Sequence, residues 1–162
     1  MVGALVDPQL DAALDLNNAH AVETSFLTRT ELAEMAQGAF LALQAGAGRD
    51  ALLLTFAQSA AYDSPNFQWF CARYPTFVYV DRIIVAEHAR GRGLARQLYE
   101  QLFRAAAAAQ FPVIACEINV MPPNPGSDAF HDALGFAEVG RAELAERGKA
   151  VRYMTKPLDH LR

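Results

Sequence analysis

The sequence FVYVDRIIV at residues 77–85, with AEHARGRGLA at 86–95 and RQLYEQLFRAAAAA at 96–109, decides the fold of this chain. The first segment is almost entirely β-branched, aromatic or aliphatic, with charges only at Asp81 and Arg82, and it predicts a buried strand. The third segment carries apolar residues at helical spacing and predicts a helix with one buried face. The residues of that face are Leu94, Leu98, Leu102, Ala105 and Ala109.

The loop that joins this strand to this helix has the composition of a phosphate-binding site. Its two glycines permit backbone angles that other residues avoid, and they let an anion come close to the main chain. The first N–H groups of a helix lack partners and the helix dipole makes that end positive, so a phosphate is favoured there. Two arginines add formal charge. The predicted phosphate-binding residues are Arg90, Gly91, Arg92, Gly93, Leu94 and Ala95.

Two motifs in this part of the chain resemble a known family. The first is R-x-x-G-x-A at Arg90, Gly93 and Ala95, which follows the strand ending at Val85. It is similar to the acetyl-CoA signature of the GCN5-related N-acetyltransferases, the GNAT superfamily. The second motif lies downstream, at Glu117-Ile118-Asn119, Asn124, Ser127, Ala129-Phe130-His131 and Leu134-Gly135-Phe136. The resemblance covers residues 77–136 well and the preceding half of the chain in outline.

The resemblance implies a fold and a reaction. The fold is a single α/β (α+β) domain over residues 1–162, with a mixed, mostly antiparallel sheet of six to seven strands flanked by helices. Its central pair of strands is parallel and splayed. The reaction moves an acetyl group from acetyl-CoA, a co-substrate, to a primary amine of a small molecule or protein, and it needs no metal.

The same resemblance assigns residues to the coenzyme. The loop at 90–95 would bind the pyrophosphate through backbone amides, while Ile84 and Val85 would bond the pantetheine arm in the gap between the central strands. A backbone N–H near Val85 would stabilise the tetrahedral oxyanion. Further coenzyme contacts would come from Asn124, Ser127 and Phe130. Turn and helix-cap chemistry explains the first two of these residues equally well.

Glu117 is the predicted general base. An amine with a pKa of about 10.4 is free of its proton in roughly one molecule in a thousand at neutral pH, so transfer needs a proton acceptor. A well-placed acceptor contributes about 10²–10⁴-fold to the rate. Asp81 is a second candidate, and each of the two carboxylates also has a structural explanation, as a paired charge at a strand.

His131 departs from the family pattern, which usually has a tyrosine whose hydroxyl protonates the departing thiolate. Histidine can donate a proton as well, since its ordinary pKa of about 6.5 lies close to neutral pH. A general acid, a contact with substrate or coenzyme, and a plain surface histidine are the three interpretations of this residue.

The rest of the chain is interpreted from hydrophobic periodicity and turn residues. In the first half of the chain, the predicted elements are a loose lead-in over 1–10, a strand over 11–18, a helix, a strand over 51–57 and an irregular segment over 62–75. That helix is capped by Thr28 or Thr30 and ended by Gly46-Ala47-Gly48. In the second half they are a strand over 113–120, a short helix that Ser127-Asp128 caps and Gly135 ends, and strands over 136–144 and 149–155. In the strand over 113–120, Glu117 and Asn119 share one face, and the apolar face is formed by Ile114, Cys116, Ile118 and Val120. The irregular segment either lines the acceptor pocket or covers the core, through Tyr62, Asp63, Asn66, Trp69 and Tyr74.

The amino-acid composition limits the kinds of protein that this chain can be. A chain of 162 residues with 52% hydrophobic and 20% charged residues is expected to be one globular domain. A formal net charge of −4 argues against a general nucleic-acid-binding protein. Cys71 and Cys116 are expected to be free thiols. The start of the sequence lacks the pattern of a signal peptide and no apolar run is long enough for a membrane span, so a cytoplasmic protein is predicted. The family resemblance suggests a homodimer.

Two other functions stay open on the sequence. A non-catalytic module could keep the acyl-CoA site without the chemistry, as the histidine at 131 would allow. A dinucleotide-binding fold would also use Gly91-x-Gly93 with an acidic residue at a later strand, such as Glu117. That fingerprint, however, needs a small residue where Arg96 stands and a glycine directly after the strand, where residues 86–90 intervene.

Overall fold

The structure, a computed structural model, describes residues 1–159 and contains one seven-stranded mixed sheet with helices on both faces. The strands are β1 (Val2–Ala4), β2 (Leu41–Ala45), β3 (Ala51–Ala57), β4 (Val78–Val85), β5 (Val113–Met121), β6 (Ala137–Leu144) and β7 (Lys149–Pro157). The α-helices are α1 (Leu10–Ala19), α2 (Arg29–Gly38), α3 (Pro65–Cys71), α4 (Leu94–Ala108) and α5 (Pro125–Leu134). None of these helices is long and apolar enough to cross a membrane.

The two central strands of the sheet form its one parallel pair. The strands lie in the order β1-β2-β3-β4-β5-β7-β6, and every other neighbouring pair is antiparallel. Pairing between β4 and β5 runs only from Val78↔Ile114 to Val80↔Cys116. Beyond these residues the strands diverge, so the predicted mixed sheet with a splayed parallel pair is confirmed.

A β-bulge in β4 lies at the point where the strands part. On the β3 side the register passes from Leu54↔Arg82 to Thr55↔Val80, so Asp81 is an extra residue without a partner on β3. A bulge bends its strand and increases the local twist. The bend therefore falls directly after Val80, the last residue of β4 that pairs with β5.

The sheet separates two apolar cores. The larger core lies between the sheet and α1, α2, α4 and α5, and it includes Ile114, Cys116 and Ile118 of β5. The smaller core is rich in aromatic residues and lies between the sheet and α3. It comprises Phe56, Phe67, Phe70, Phe77, Tyr79, Ala115, Val151 and Tyr153. The predicted apolar face of β5 is confirmed, and Cys116 is buried there as a free thiol, while Cys71 is a half-buried free thiol.

The N-terminal predictions were wrong. Residues 1–10 are not a loose lead-in, because β1 pairs with β2 along its whole length and a 3-10 turn follows at Asp7–Gln9. Residues 11–18 lie in α1 instead of a strand, and the helix buries Leu10, Ala13 and Leu16 on the sheet. The polar Asn17-Asn18 pair, which indicated the end of a strand, lies within α1 because both side chains bond the loop that follows the helix.

The helix at Thr28 was predicted correctly at its start and wrongly at its end. Thr28 accepts a hydrogen bond from the Glu31 amide and the Glu31 side chain accepts one from Thr28, which forms a capping box. The helix stops at Gly38, and residues 41–45 form β2. Gly46-Ala47-Gly48 is therefore the turn between β2 and β3 and not a helix end.

Three further elements differ in detail. The segment over 62–75 contains α3 and is not irregular throughout, since Pro65 opens a helix whose Phe67 and Phe70 are fully buried. Asn124 caps α5, accepting a bond of 3.2 Å from the Ser127 amide, in place of the predicted Ser127-Asp128 cap. Near the end of α4 the buried residue is Ala106, in place of Ala105 and Ala109. The strands over 51–57, 113–120, 136–144 and 149–155 were predicted within two residues of their bounds.

A buried ion pair fixes the bulge to the loop between α1 and α2. The Arg82 Nε lies 2.7 Å from an Asp81 carboxylate oxygen, and both side chains are 5% exposed. The same guanidinium donates to the Asn17 Oδ1 at 2.7 Å and to the Ser25 hydroxyl at 3.3 Å. Asn17 in turn donates to the Ser25 carbonyl at 2.8 Å. The charges at the bulge thus hold the loop over residues 20–28 in place.

Replacing Arg82 with methionine is expected to lower the free energy of unfolding by about 3–5 kcal/mol, because the variant leaves Asp81 buried without its cation. Urea unfolding at neutral pH measures this loss. The control is Arg29→Met, which removes exposed pairs to Asp7 and Asp11 and should change the free energy of unfolding far less, because solvent screens exposed charges. Equal losses in the two variants would contradict a structural role for the buried pair.

Candidate active site

The gap between β4 and β5 opens into a cavity of about 100 Å³ that brings the candidate acid and base residues together. Residues 80–83 of β4 and 116–119 of β5 form its two walls. Other side chains enter from α4, from α5 with its cap, and from the loop between α1 and α2. They are Tyr99, Asn124, Ser127, His131, Glu23 and Thr24.

Glu117 lies on the α3 face of β5 and lines the cavity. The Tyr79 hydroxyl donates to the Glu117 Oε2 at 2.5 Å. Burial raises the pKa of Glu117 to about 7, against the lowering effect of the Tyr79 hydrogen bond and with a further rise from the charge of Asp81. A carboxylate with this pKa can both accept and release a proton near neutral pH.

Asp81, the second candidate base, is tied to other groups. Besides the pair with Arg82, its carboxylate accepts a short hydrogen bond from the Tyr62 hydroxyl. A carboxylate held by a buried guanidinium has its lone pairs engaged and its negative charge stabilised. Asp81 therefore contributes negative charge to the cavity, while Glu117 is the carboxylate without a cationic partner among the described residues.

His131 is buried in α5, 3% exposed, with both ring nitrogens engaged. Its Nδ1 lies 2.8 Å from the Ser127 carbonyl and 3.2 Å from the Ser127 hydroxyl, and its Nε2 lies 2.6 Å from the Tyr99 hydroxyl. Burial lowers the pKa of His131, against the raising effect of the Ser127 carbonyl. The surface interpretation of this residue is therefore wrong, and the imidazole is mainly neutral at pH 7.

The start of α4 presents free backbone donors to a second cavity. The first bond within the helix runs from the Gln97 amide to the Gly93 carbonyl, so the amides of residues 94–96 have no partner in the helix. Gly93 has φ 73°, and a Cβ there would meet only the Gln97 side chain at 4.0 Å. The cavity is lined by Val85, Ala89, Arg90, Gly91, Gly93, Leu94, Ala95, Arg96 and Phe130.

The remaining predicted coenzyme residues are placed differently. Arg92 turns to Asp50, at 3.4 Å, where His88 also binds the carboxylate at 2.8 Å. Ile84 is a buried core residue, so only its backbone could reach a ligand. Asn124 and Ser127 line the cavity between the central strands and not the cavity at α4. Across residues 1–159, no three His, Cys, Asp or Glu side chains are grouped closely enough to hold a metal ion.

A third opening leads from Glu117 to solvent on the α3 face and is the candidate acceptor cleft. Tyr62, Ser64 and Asn66 line it on one side. The opposite side is formed by Thr24 and Ser25 of the loop after α1, and by Leu144, Arg147, Lys149 and Val151 near the β6–β7 turn. Asp63 borders its outer part. Trp69 stacks on Tyr153 and Tyr74 packs on Phe70, so these two aromatic residues cover the core and do not line the cleft.

The sequence did not identify Tyr79 or Tyr99 as site residues. Both are fully buried aromatic residues in predicted elements, which is the pattern of ordinary core residues. Their hydroxyls end at Glu117 and His131 respectively. A buried tyrosine hydroxyl usually finds a hydrogen-bond partner. A tyrosine in a predicted core element near a candidate site residue was therefore the one signal in the sequence that could have identified these two residues.

Glu117→Gln is expected to stabilise the fold at alkaline pH. The folded pKa of Glu117 is about 7 against an ordinary value of 4.5. Between these values the native state keeps a proton that the unfolded chain has lost, so wild-type stability falls as pH rises through the window. The free energy of unfolding of Glu117→Gln relative to wild type should therefore increase across this pH range and level off at about 1–3 kcal/mol above it.

Urea unfolding at a series of pH values measures this difference. Glu23→Gln removes an exposed carboxylate from the same cavity and provides the control. A difference between Glu117→Gln and wild type that does not change from acidic to alkaline pH would contradict the raised pKa.

Comparisons with known proteins agree with this architecture. A family model described as the acetyltransferase (GNAT) family matches residues 51–136. No curated protein matches the sequence. The structure of the ribosomal-protein-S18-alanine N-acetyltransferase from Escherichia coli is similar at TM-score 0.70 and 15% identity, covering 100% of this chain and 96% of that chain. The structure of Chaetomium thermophilum Naa20 in complex with a bisubstrate analogue has TM-score 0.74 and 18% identity, covering 99% and 87%. That of an aminoglycoside 6'-N-acetyltransferase complexed with coenzyme A has TM-score 0.73 and 14% identity, covering 100% and 99%.

At these identities the solved structures show a shared fold, whereas the family model spans more than half of the chain and includes β3, β4, α4, β5 and α5. This protein belongs to the GNAT family of acetyltransferases.

Proposed function

We propose that this protein transfers an acetyl group from acetyl-CoA to a primary amine of a small molecule or protein, with Glu117 as the general base. The observation that carries the proposal is the placement of Glu117 on the wall of the gap between β4 and β5. The coenzyme A bound to the aminoglycoside 6'-N-acetyltransferase structure supports the choice of cofactor. A homodimer, which the family resemblance suggests, and a cytoplasmic location, which the sequence pattern suggests, are part of the same proposal.

The pyrophosphate would bind at the start of α4. Free amides at residues 94–96, the open space at Gly91 and Gly93, and the exposed Arg90 supply donors, room and charge. Phe130 lies on the same cavity and would contact the coenzyme from α5. Because Arg92 is paired with Asp50, its contribution would be to the local field more than to a direct bond.

The pantetheine arm would follow β4 from this cavity into the gap. The Ala86 amide donates to the Asp50 carbonyl on the β3 side. Since successive residues of a strand direct their amides to opposite sides, the Val85 amide points away from β3, toward the side on which β5 has parted from β4. That direction supports the role proposed for Val85, whose backbone would bond the arm and whose N–H would stabilise the oxyanion. By the same alternation the Ile84 backbone points toward β3, where Ile84 pairs with Leu52, so this geometry does not support the contact proposed for Ile84. Asn124 and Ser127 would contact the arm farther along the gap.

The amine would reach the thioester through the cleft on the α3 face. An ammonium group that enters there reaches Glu117, which takes a proton from it. The resulting neutral amine attacks the acetyl carbonyl held in the gap. Confinement of both reactants to one site supplies the proximity part of the rate enhancement.

Glu117→Gln should abolish most acetyl transfer while keeping the coenzyme site. We expect kcat/KM to fall by about 10²–10⁴-fold, because the amide cannot accept the ammonium proton. Thiol release during turnover with a panel of amines measures activity, and calorimetry measures acetyl-CoA affinity, which should stay within about threefold of wild type. In wild type, kcat/KM should rise with pH through about 7, as the carboxyl group loses its proton.

The outcomes separate the enzyme from a non-catalytic acyl-CoA-binding module. A wild-type protein that binds acetyl-CoA but releases no thiol with any amine would favour the module. Full activity in the Glu117→Gln variant would contradict the role of this residue as base. So would a wild-type kcat/KM that does not fall as the pH is lowered below about 7.

Gly93→Ala should weaken acetyl-CoA binding by about tenfold or more. The added methyl group would occupy open space in front of the first amides of α4, where the phosphate is expected. Thermal shift measures binding, since a ligand at 100 times its Kd stabilises the fold by about 2.7 kcal/mol.

Gly148→Ala is the matched control, because Gly148 also has a positive φ, of 59°, and open surroundings, but lies at the β6–β7 turn. Both variants carry the same backbone strain, and only Gly93→Ala should lose the response to acetyl-CoA. A protein stabilised by NADH and not by acetyl-CoA would overturn the coenzyme assignment in favour of a dinucleotide.

A further inference from the structure

Tyr99 is a buried residue of α4 whose hydroxyl the mechanism above does not use. Its side chain is fully buried, yet it lines the cavity between β4 and β5 together with His131 and Cys116. The hydroxyl lies 2.6 Å from the His131 Nε2. The phenol ring is fixed by edge contacts with His131 and Phe136 and by tilted contacts with Phe103 and Phe130. Packing on all sides thus holds the hydroxyl at the cavity wall.

The hydrogen bonds of His131 determine which atoms carry protons. The Ser127 carbonyl can only accept, so the His131 Nδ1 at 2.8 Å from it is the protonated nitrogen. Burial lowers the pKa of His131, and the ring is neutral at pH 7 with a lone pair on Nε2. The Tyr99 hydroxyl therefore donates to Nε2. In this state the imidazole has no N–H to offer to a group in the cavity.

Base and hydroxyl lie on opposite faces of the sheet. Glu117 is on the α3 face with Tyr79, and Tyr99 and His131 come from helices on the other face. An acetyl carbonyl held in the gap would receive the amine from the Glu117 side. Its sulfur, on the arm that arrives from the α4 side, would lie toward Tyr99.

Other donors also line the cavity near Tyr99. Cys116 is a weak donor, and burial raises the pKa of its thiol. The Asn124 carbonyl oxygen caps α5 at the Ser127 amide, and the Ser127 hydroxyl accepts from the protonated His131 Nδ1 at 3.2 Å, so both side chains are held at the start of α5. The Tyr99 hydroxyl is the strong donor on this wall whose present acceptor is a neutral nitrogen.

We propose that the Tyr99 hydroxyl donates a hydrogen bond to the thioester sulfur as its bond to the acetyl carbon breaks, and that His131 positions this hydroxyl. The inference rests on the proposed acetyl transfer. The electron pair of the C–S bond passes to sulfur, and a hydrogen bond to a thiolate is stronger than one to a neutral imidazole, so the hydroxyl changes its acceptor.

Tyr99 keeps its proton throughout this step. Burial raises the pKa of Tyr99 well above its usual value, whereas a thiol has a pKa of about 8.5. The amine nitrogen loses two protons, one to Glu117 before the attack and one to solvent as the tetrahedral intermediate collapses to the amide. The coenzyme leaves as a thiolate and takes one proton back from water, and Glu117 returns its own proton to solvent. One proton is released overall for each amine that enters as ammonium, and the atoms and charges balance.

The arrangement accounts for the histidine at a position where the family pattern usually has a tyrosine. In this chain the hydroxyl would come from α4, and residue 131 on α5 would hold it. His131 is then a positioning residue and not the proton donor that the sequence suggested. The direct contact with the sulfur belongs to Tyr99.

The test compares wild type, Tyr99→Phe and the double variant Tyr99→Phe/His131→Tyr. The first measurement needs no turnover, because the thiolate absorbance of coenzyme A bound to each protein gives the pKa of the bound thiol. Loss of the hydroxyl should raise that pKa by about one to two units, the size expected for a hydrogen bond to a charged group. The double variant moves a hydroxyl to α5 and should lower the pKa again.

The second measurement is turnover. Tyr99→Phe should reduce kcat by about ten- to a hundredfold with little change in KM, equally at all pH values, since no proton transfer by Tyr99 is involved. Urea unfolding shows whether each variant is folded at the assay temperature. An unchanged pKa of the bound thiol in Tyr99→Phe would overturn the inference. Absence of acetyl transfer by wild type would instead overturn the proposed function, and the thiol titration would still decide whether the Tyr99 hydroxyl bonds the coenzyme sulfur.

Discussion

The separation of β4 from β5 is the constraint on which the rest of the site depends. Two adjacent parallel strands would normally pair along their length, and here pairing stops at Val80↔Cys116, beside the bulge at Asp81. The bulge is held by the buried Asp81–Arg82 pair, whose guanidinium also reaches Asn17 and Ser25. This ion pair therefore lies where the two strands part, and its guanidinium fixes the loop that borders the gap.

The same ion pair distinguishes two carboxylates that lie close together. Asp81 is charge-compensated by Arg82 and accepts from Tyr62, whereas Glu117 accepts from Tyr79 and has no cationic partner among the described residues. Burial and the negative charge of Asp81 together raise the pKa of Glu117 to about 7. The carboxylate held by Arg82 thus raises the pKa of its neighbour into the neutral range.

Hydrophobic periodicity predicted the elements whose own residues are enough to specify a strand or a helix. The apolar strand at 78–85, the helix after Gly93 and the alternation of Glu117 with Ile118 follow from periodicity, and the structure contains them. Distant partners decided the others. β1 exists because β2 pairs with it, and α1 ends in asparagines because these side chains bond the loop that follows. The bulge could not be predicted either, since only the register against β3 shows that Asp81 is an extra residue.

Side chains from two neighbouring helices can place a hydroxyl group at the same point of a cavity, and residue 131 is an example. Comparison of motifs treats residue 131 as the place for a proton donor and finds a histidine. The fold places α4 beside α5, so that Tyr99 and His131 touch and the donor atom can belong to either chain position. The imidazole nitrogen that faces the hydroxyl has no proton, because the Ser127 carbonyl fixes the proton on the other nitrogen. Under the mechanism proposed above, the chemistry that a motif assigns to one residue would in this chain belong to a contact between two helices.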